Sequence, residues 1–223
     1  MNQPVAHADE GSRLAITGPA GNIEAALTLP DAPAQPVVAI VCHPLPTGGG
    51  TMHNKVVTMT TRALRESGVT VVRFNFRGVG SSEGAFDHGG GELDDLRAVA
   101  AWVRGHYPDH ALWLAGFSFG SWIALRACVE LQASALITIA PPVGRDWDFS
   151  AVALPSAPWL VIQGDQDELV AVDAVRHWVA GLSKPPQVIE MAGASHFFHR
   201  KLMDLRGVVK TGIRGWLPLP PSA

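Results

Sequence analysis

Three side chains, Ser118, Asp167 and His196, lie in short segments whose residue types suit nucleophilic chemistry. Ser118 is the centre of Gly-Phe-Ser-Phe-Gly, at the end of an apolar run. A strand that stops at such a serine and turns sharply into a helix presents the hydroxyl at the top of a sheet. The glycines at 116 and 120 are expected because a side chain there would collide with the neighbouring strand and helix. The pentapeptide alone is weak evidence for this turn, since roughly one chain in ten of this length contains such a pattern by chance.

A serine hydroxyl becomes a good nucleophile only when a base takes its proton and a third group orients that base. Asp167 follows the apolar run 159–163, and His196 follows the run 187–191. Open parallel sheets place their sites just beyond the carboxyl ends of strands, where both residues are predicted to lie. The chain order Ser118, Asp167, His196 also differs from the orders found in the two main types of serine protease. The pattern therefore predicts a serine nucleophile with a histidine base and an orienting acid.

Alternating strands and helices are predicted to position these side chains. Alternation of apolar and polar residues over 13–17 and 23–29 predicts an antiparallel hairpin, and the unbroken apolar run 37–42 is typical of a central strand. Strand and helix patterns then alternate, which favours a mostly parallel sheet covered by helices on both faces. Further strands are expected over 69–75, 111–115, 135–140, 159–163 and 187–191, and helices over 54–67, 91–104, 118–131, 172–182 and from about 199.

One domain is expected over 13–217, preceded by a flexible N-terminus (1–12) and followed by a short tail (218–223). Fewer than twenty residues, rich in proline, separate the predicted strands 135–140 and 159–163. This gap is too short for a helical lid domain. The Leu-Pro-Leu-Pro-Pro sequence at 217–221 predicts an extended surface tail.

The composition excludes several classes of partner. The formal net charge is −3 and 17% of residues are charged, so no electrostatic footprint for nucleic acid or an anionic membrane is expected. No secretory signal is recognised at the N-terminus, and no apolar run reaches the roughly 18 residues that span a bilayer. These features predict a cytoplasmic protein with a small-molecule substrate, as a monomer or a homodimer. Cys42 and Cys128 lie in apolar runs and are predicted to be buried rather than paired.

The motifs resemble those of the α/β-hydrolases. The Gly-x-x-Asp-x-x-Val pattern around Asp167 and the Gly-x-x-His-x-Phe pattern around His196 are similar to the acid and base signatures of that family. Two more stretches, His-Pro-Leu-Pro-Thr-Gly-Gly-Gly-Thr-Met at 43–52 and Arg-Phe-Asn-Phe-Arg-Gly-Val-Gly-Ser-Ser at 73–82, are similar to a compact, lidless bacterial subgroup of dienelactone-hydrolase-like predicted esterases. The resemblance covers residues 23–216 and implies the α/β-hydrolase fold and serine hydrolase activity.

The resemblance also implies an oxyanion hole built from two backbone N–H groups. One comes from the residue after the nucleophile, here Phe119, and the other from the loop after an early strand. Pro44 and Pro46 have no N–H to donate. Leu45 is therefore the predicted second donor, with Thr47 or a glycine of 48–50 as the alternatives.

Each candidate has a simpler interpretation. Ser118 could simply be the N-cap residue of a helix. Asp165 is the alternative to Asp167 as the acid, and His199 is the alternative to His196 as the base. The spacing to Val170 favours Asp167, and the preceding Gly-x-x favours His196.

His43 is predicted to be structural rather than a substrate contact. Met52, His53, Phe86 and Phe119 could line a pocket, but apolar residues near strand ends are more often core, so no substrate-binding residue is assigned.

No cofactor or metal is expected. The glycines of 78–84 do not have dinucleotide-loop spacing, and Lys55 is followed by Val56 rather than by the Ser or Thr of a phosphate loop. The remaining histidines are scattered singly, without the paired spacing that zinc sites use.

The sequence therefore predicts a serine hydrolase that cleaves a carboxylic ester or thioester through an acyl-enzyme on Ser118. A peptidase or lactonase with the same triad, and a non-catalytic binding module on the same fold, are the alternatives.

Overall fold

A single eight-stranded sheet organises this computed structural model, which describes residues 11–31 and 33–218. Its strands, in chain order, are β1 (Ser12–Gly18), β2 (Gly21–Thr28), β3 (Val37–Cys42), β4 (Thr70–Phe74), β5 (Ala111–Phe117), β6 (Ala135–Ile139), β7 (Trp159–Gly164) and β8 (Gln187–Met191). They lie in the sheet in the order β1-β2-β4-β3-β5-β6-β7-β8. Most of the expected N-terminal segment 1–12 and tail 218–223 lies outside the described residues.

The pairing of the strands confirms the predicted fold class. β1 pairs antiparallel with β2, and β2 antiparallel with β4, whereas the other neighbours pair in parallel. The N-terminal hairpin and the mostly parallel sheet are therefore both present.

Helices cover both faces of the sheet. They are α1 (Lys55–Glu66), α2 (Gly90–His106), α3 (Phe119–Cys128), α4 (Val172–Ala180) and α5 (Leu202–Ile213). α1 and α5 bury apolar side chains in one core, and α2, α3 and α4 contribute to the other core. Every residue of β3 and β4 is buried, as expected for strands covered on both faces. Cys42 and Cys128 are free and buried, as predicted.

Parallel pairing brings the carboxyl ends of β3, β5, β7 and β8 to one edge of the sheet. The segment 140–158, between β6 and β7, contains no helix or strand, which agrees with the predicted absence of a lid. No helix within 11–31 or 33–218 combines the length and apolar character needed to cross a bilayer.

Two helix boundaries differ from the sequence prediction by about three residues, and the others by at most two. α5 begins at Leu202 rather than near His199, because Phe198 and Arg200 have φ angles of 52° and 60°. α3 ends at Cys128 rather than at 131, and the turn that follows ends at Gln132, whose φ is 46°. These left-handed conformations cannot continue an α-helix.

Candidate active site

Ser118 occupies the sharp turn between β5 and α3. Its φ and ψ are 51° and −121°, a conformation that costs a non-glycine residue about 1–3 kcal/mol and is concentrated at functional sites. A Cβ at Gly116 would overlap the backbone of Gly120, and one at Gly120 would overlap the carbonyl of His43. The close approach of strand, helix and the chain after β3 therefore requires both glycines.

The Ser118 hydroxyl does not cap α3. Its side chain makes no capping bond, although the residue stands at the N-cap position. The hydroxyl instead lies 3.1 Å from His196 Nε2, and the Ser118 N–H donates to Ile139 O at 2.9 Å. The backbone of the turn is thus fixed to β6, and the hydroxyl faces an imidazole.

His196 joins Ser118 to Asp167. Its Nδ1 lies 2.8 Å from Asp167 Oδ2, and its ring is 2% exposed. With Nδ1 donating to the carboxylate, Nε2 is the nitrogen free to accept the serine proton. The three residues come from the ends of β5, β7 and β8, separated by 49 and 29 positions in the sequence.

Four donors surround the Asp167 carboxylate, whose side chain is fully buried. Oδ1 accepts the N–H groups of Leu169 and Val170 at 2.9 and 2.7 Å, and Oδ2 accepts His196 Nδ1 and Gln163 Nε2. Burial opposes ionisation, but the hydrogen bond and charge of His196 and the two backbone donors outweigh it and lower the pKa of Asp167. Asp167 is therefore held as a carboxylate.

The competing residues lie outside this chain of hydrogen bonds. Asp165 accepts the Gly193 N–H at 2.7 Å, and His199 is exposed, with its N–H near Ser195 Oγ. Glu168, which the sequence reasoning missed, accepts the backbone N–H of His196 at 3.0 Å. Asp165 and Glu168 thus hold the loop 192–198, and of these three acids Asp167 is the one that contacts the imidazole.

His43 is buried at the end of β3, and both its ring nitrogens bond to backbone. Nδ1 lies 2.6 Å from Pro44 O, and Nε2 accepts the Phe76 N–H at 3.0 Å. Burial lowers the pKa of His43 to about 4, although the Pro44 carbonyl opposes this shift. A neutral His43 therefore fixes the start of the loop 43–52.

The loop 43–52 and the start of α3 each contribute one of the two predicted N–H donors, Leu45 and Phe119. Within 11–31 and 33–218, neither the Leu45 nor the Phe119 N–H donates to a protein acceptor, and both residues line the cavity that contains Ser118. The glycine alternatives are already used: the N–H groups of Gly48 and Gly50 donate to Leu45 O at 3.0 Å, and that of Gly49 donates to Pro46 O at 3.1 Å.

A cavity of about 270 Å³ opens above Ser118. Its walls come from the loop 43–52, the segment 140–158, the loop after β7 and the loop after β8. The sequence reasoning missed several lining residues: Pro142, Arg145, Asp146, Trp147, Leu169 and Phe197. The segment 140–158 is held in place because Trp122 Nε1 donates to Asp148 O at 2.9 Å and Trp147 packs on Phe119.

Of the four apolar or aromatic candidates considered from the sequence, Phe119 alone is among the lining residues of this cavity. Met52 is buried, with its N–H bonded to Asn75 Oδ1. Phe86 packs against Phe119 but does not line the cavity. His53 is exposed. The described residues contain no group of three His, Cys, Asp or Glu side chains arranged for a metal ion.

A family model for the alpha/beta hydrolase fold matches residues 40–157, more than half of the chain. The chain therefore belongs to the α/β-hydrolase fold family. It is similar to an α/β serine hydrolase without a lid from Xanthomonas campestris, at 57% identity and TM-score 0.91 over 98% of this chain and 100% of that one.

Two further relatives cover most of the chain. An α/β serine hydrolase homologue from Coxiella burnetii is 44% identical, with a TM-score of 0.88 over 91% of this chain and 97% of that one. An uncharacterized protein of Rickettsia prowazekii is 39% identical over 198 residues, which are 83% of this chain and 82% of that protein. These likenesses confirm the resemblance and the lidless fold.

Proposed function

We propose that this protein is a serine hydrolase that cleaves a carboxylic ester or thioester of a small molecule. The observation that carries the proposal is the continuous set of hydrogen bonds from Ser118 Oγ through His196 to the buried Asp167 carboxylate. The likeness to a lidless serine hydrolase at 57% identity supports the same reaction class.

In the proposed reaction, Ser118 Oγ attacks the substrate carbonyl carbon while His196 Nε2 takes the hydroxyl proton. Asp167 holds the imidazole in the Nδ1–H tautomer and stabilises the imidazolium that forms. The carbonyl oxygen becomes an oxyanion, which accepts the N–H groups of Leu45 and Phe119.

Collapse of this intermediate breaks the bond to the leaving alcohol or thiol, which receives the proton from His196. An acyl group then remains on Ser118. A water molecule gives its proton to His196 and attacks the acyl carbonyl, which releases the acid and restores the Ser118 hydroxyl. Each proton therefore passes through His196 Nε2, the nitrogen that lies 3.1 Å from the hydroxyl.

The cavity favours a substrate with an apolar group. Leu169 and Phe197 line it and are 42% and 36% exposed, so an apolar group that covers them would remove apolar surface from water. Arg145 and Asp146 give the lining one charge of each sign, which favours neither an anionic nor a cationic substrate. The small volume and the absence of a lid suit an ester with a short acyl group.

Hydrolysis of p-nitrophenyl acetate by the wild-type protein and by Ser118→Ala tests this function. We expect Ser118→Ala to lower kcat/KM by about 10⁴-fold or more, as removal of a triad nucleophile does, with an unchanged circular dichroism spectrum. Ser195→Ala is the matched control, because Ser195 precedes the base and is not among the lining residues of the cavity.

Equal turnover by the wild-type protein and Ser118→Ala would contradict the proposal. The non-catalytic module would be favoured if the wild-type protein hydrolysed no ester or thioester of a graded series and yet bound a ligand at the cavity.

A further inference from the structure

Gln163 is a polar residue at a position where the strand pattern calls for an apolar one. The four preceding residues of β7 are Trp, Leu, Val and Ile, and every residue of the strand is buried. Gln163 shares a sheet face with Trp159 and Val161, both of which lie in an apolar core. Burying an amide there costs free energy unless its polar atoms are bonded. A departure from the local pattern of this kind is typical of functional positions.

The neighbours of Gln163 fix the direction of its amide. Nε2 lies 2.9 Å from Asp167 Oδ2, 3.1 Å from Val170 O and 3.4 Å from Gly164 O. All three atoms are acceptors, so the NH₂ group must face them and the carbonyl must point away. Oε1 has no hydrogen-bond partner among the described protein atoms. The amide group therefore satisfies its N–H donors and leaves its buried carbonyl oxygen without a protein partner.

The oxygen that Gln163 contacts is the one that faces the base. Asp167 Oδ2 accepts both Gln163 Nε2 at 2.9 Å and His196 Nδ1 at 2.8 Å. A second donor fixes the rotation of the carboxylate about its Cβ–Cγ bond. Because Oδ2 accepts two hydrogen bonds, its bond to His196 is weaker than it would be if His196 were the only donor to that oxygen.

We propose that Gln163 is a positioning residue of this site, which orients the Asp167 carboxylate and moderates its bond to His196. The role of Asp167 in the reaction rests on the proposed function, whereas the coupling of Gln163 to His196 is measurable in the resting protein. The amide also binds Val170 O and thereby closes the turn 164–170.

Gln163 makes no hydrogen bond to the other charged groups near His196, since its amide contacts Asp167 Oδ2 and two backbone carbonyls. Glu168 accepts its backbone N–H, and Arg145 and Asp146 line the same cavity. Asp165 lies in the same loop as Asp167 but bonds to Gly193. A direct effect of Gln163 on the His196 ring therefore passes through Asp167 Oδ2, the atom that both side chains contact.

Gln163→Met tests the proposal, because methionine has the same unbranched length and no donor. Thr138→Val is the matched control: Thr138 is a buried polar residue of the adjacent strand β6, where it accepts Trp159 Nε1 at 3.0 Å. The low-field ¹H resonance of the His196 Nδ1 proton reports directly on its bond to Asp167. We expect this resonance to move further downfield in Gln163→Met and to stay unchanged in Thr138→Val.

The kinetic readout of the same variant is the pH profile of ester hydrolysis. We expect the acid limb of kcat/KM to move to higher pH, since an unshared carboxylate stabilises the imidazolium more. We expect kcat to fall about tenfold through looser orientation, with KM unchanged. The melting temperature should fall, because the replacement leaves the buried Val170 O without its donor, so the Nδ1 resonance and the pH profile, and not stability, report on the positioning role.

An unchanged Nδ1 resonance in folded Gln163→Met would overturn the proposal, whatever the activity. So would failure of both Gln163→Met and Gln163→Leu to fold, because that result assigns the amide a purely structural role. A shifted resonance in a protein without Ser118-dependent hydrolysis would support the coupling and contradict the proposed function, so the two claims fail separately.

Discussion

Two buried histidines lie at the edge of the sheet where the parallel strands end, and their partners differ in kind. Both ring nitrogens of His43 bond to backbone atoms, the Pro44 carbonyl and the Phe76 N–H. Both ring nitrogens of His196 bond to side chains, the Ser118 hydroxyl and the Asp167 carboxylate. Burial is nearly equal, at 0% and 2% exposure.

The difference shows that burial alone does not separate a structural histidine from a candidate base. Both ring nitrogens of His43 are occupied by backbone groups, and burial keeps the ring neutral. His43 therefore holds the loop 43–52 in place. His196 faces an ionised carboxylate on one side and a hydroxyl that opens to a cavity on the other. Its second nitrogen is therefore available to accept and release a proton.

The largest effect that would sharpen this contrast comes from His196→Ala. We expect kcat/KM for p-nitrophenyl acetate to fall by about 10⁴-fold or more, because Ser118 loses its base. Steady-state kinetics of His196→Ala beside His199→Ala measures this, since His199 is exposed and lies three residues further on. Comparable activity of the two variants would remove His196 from the proposed mechanism.

Removing His43 should act mainly on stability. His43→Leu leaves the buried Phe76 N–H and the Pro44 carbonyl without their partner, and each unpaired group costs about 1–3 kcal/mol. We expect the urea midpoint to fall and kcat/KM to fall only about tenfold, through movement of the Leu45 N–H. A loss of activity as large as that of His196→Ala, in a folded protein, would break the comparison.

The smallest effect is the pH dependence that His43 gives to stability. Its folded-state pKa of about 4 lies below the ordinary value of 6.5, so the unfolded chain binds the proton first as the pH falls. The free energy of unfolding should therefore fall between about pH 6.5 and pH 4, by up to about 1.4 kcal/mol per pH unit. Urea titrations at pH 7, 6 and 5 should show a shallower decline for His43→Leu, and parallel declines would contradict the neutral assignment.

The sequence predicted the architecture well because its signals are local. Strand β3 is apolar on both faces, and the hairpin β1–β2 alternates around a glycine turn, so each pattern indicates its element. The start of α5 escaped prediction, since left-handed Phe198 and Arg200 have no clear local signature.

The candidate site was predictable in part for the same reason. Ser118, Asp167 and His196 each follow a recognisable strand. Gln163 and Glu168 did not stand out, because their roles depend on contacts formed in the fold: Glu168 lies 28 residues from the backbone N–H that it accepts. The partner of His43 at Phe76 lies 33 residues away, and the cavity residues of 140–158 reach Ser118 through packing of Trp147 on Phe119.

Covalent labelling of Ser118 tests the central claim most directly. A fluorophosphonate reacts with a serine only when a base activates its hydroxyl. Intact-mass and peptide analysis of the labelled wild-type protein should show one adduct, on Ser118, and none in Ser118→Ala or His196→Ala. An unlabelled wild-type protein, or an adduct of equal yield in His196→Ala, would contradict the account.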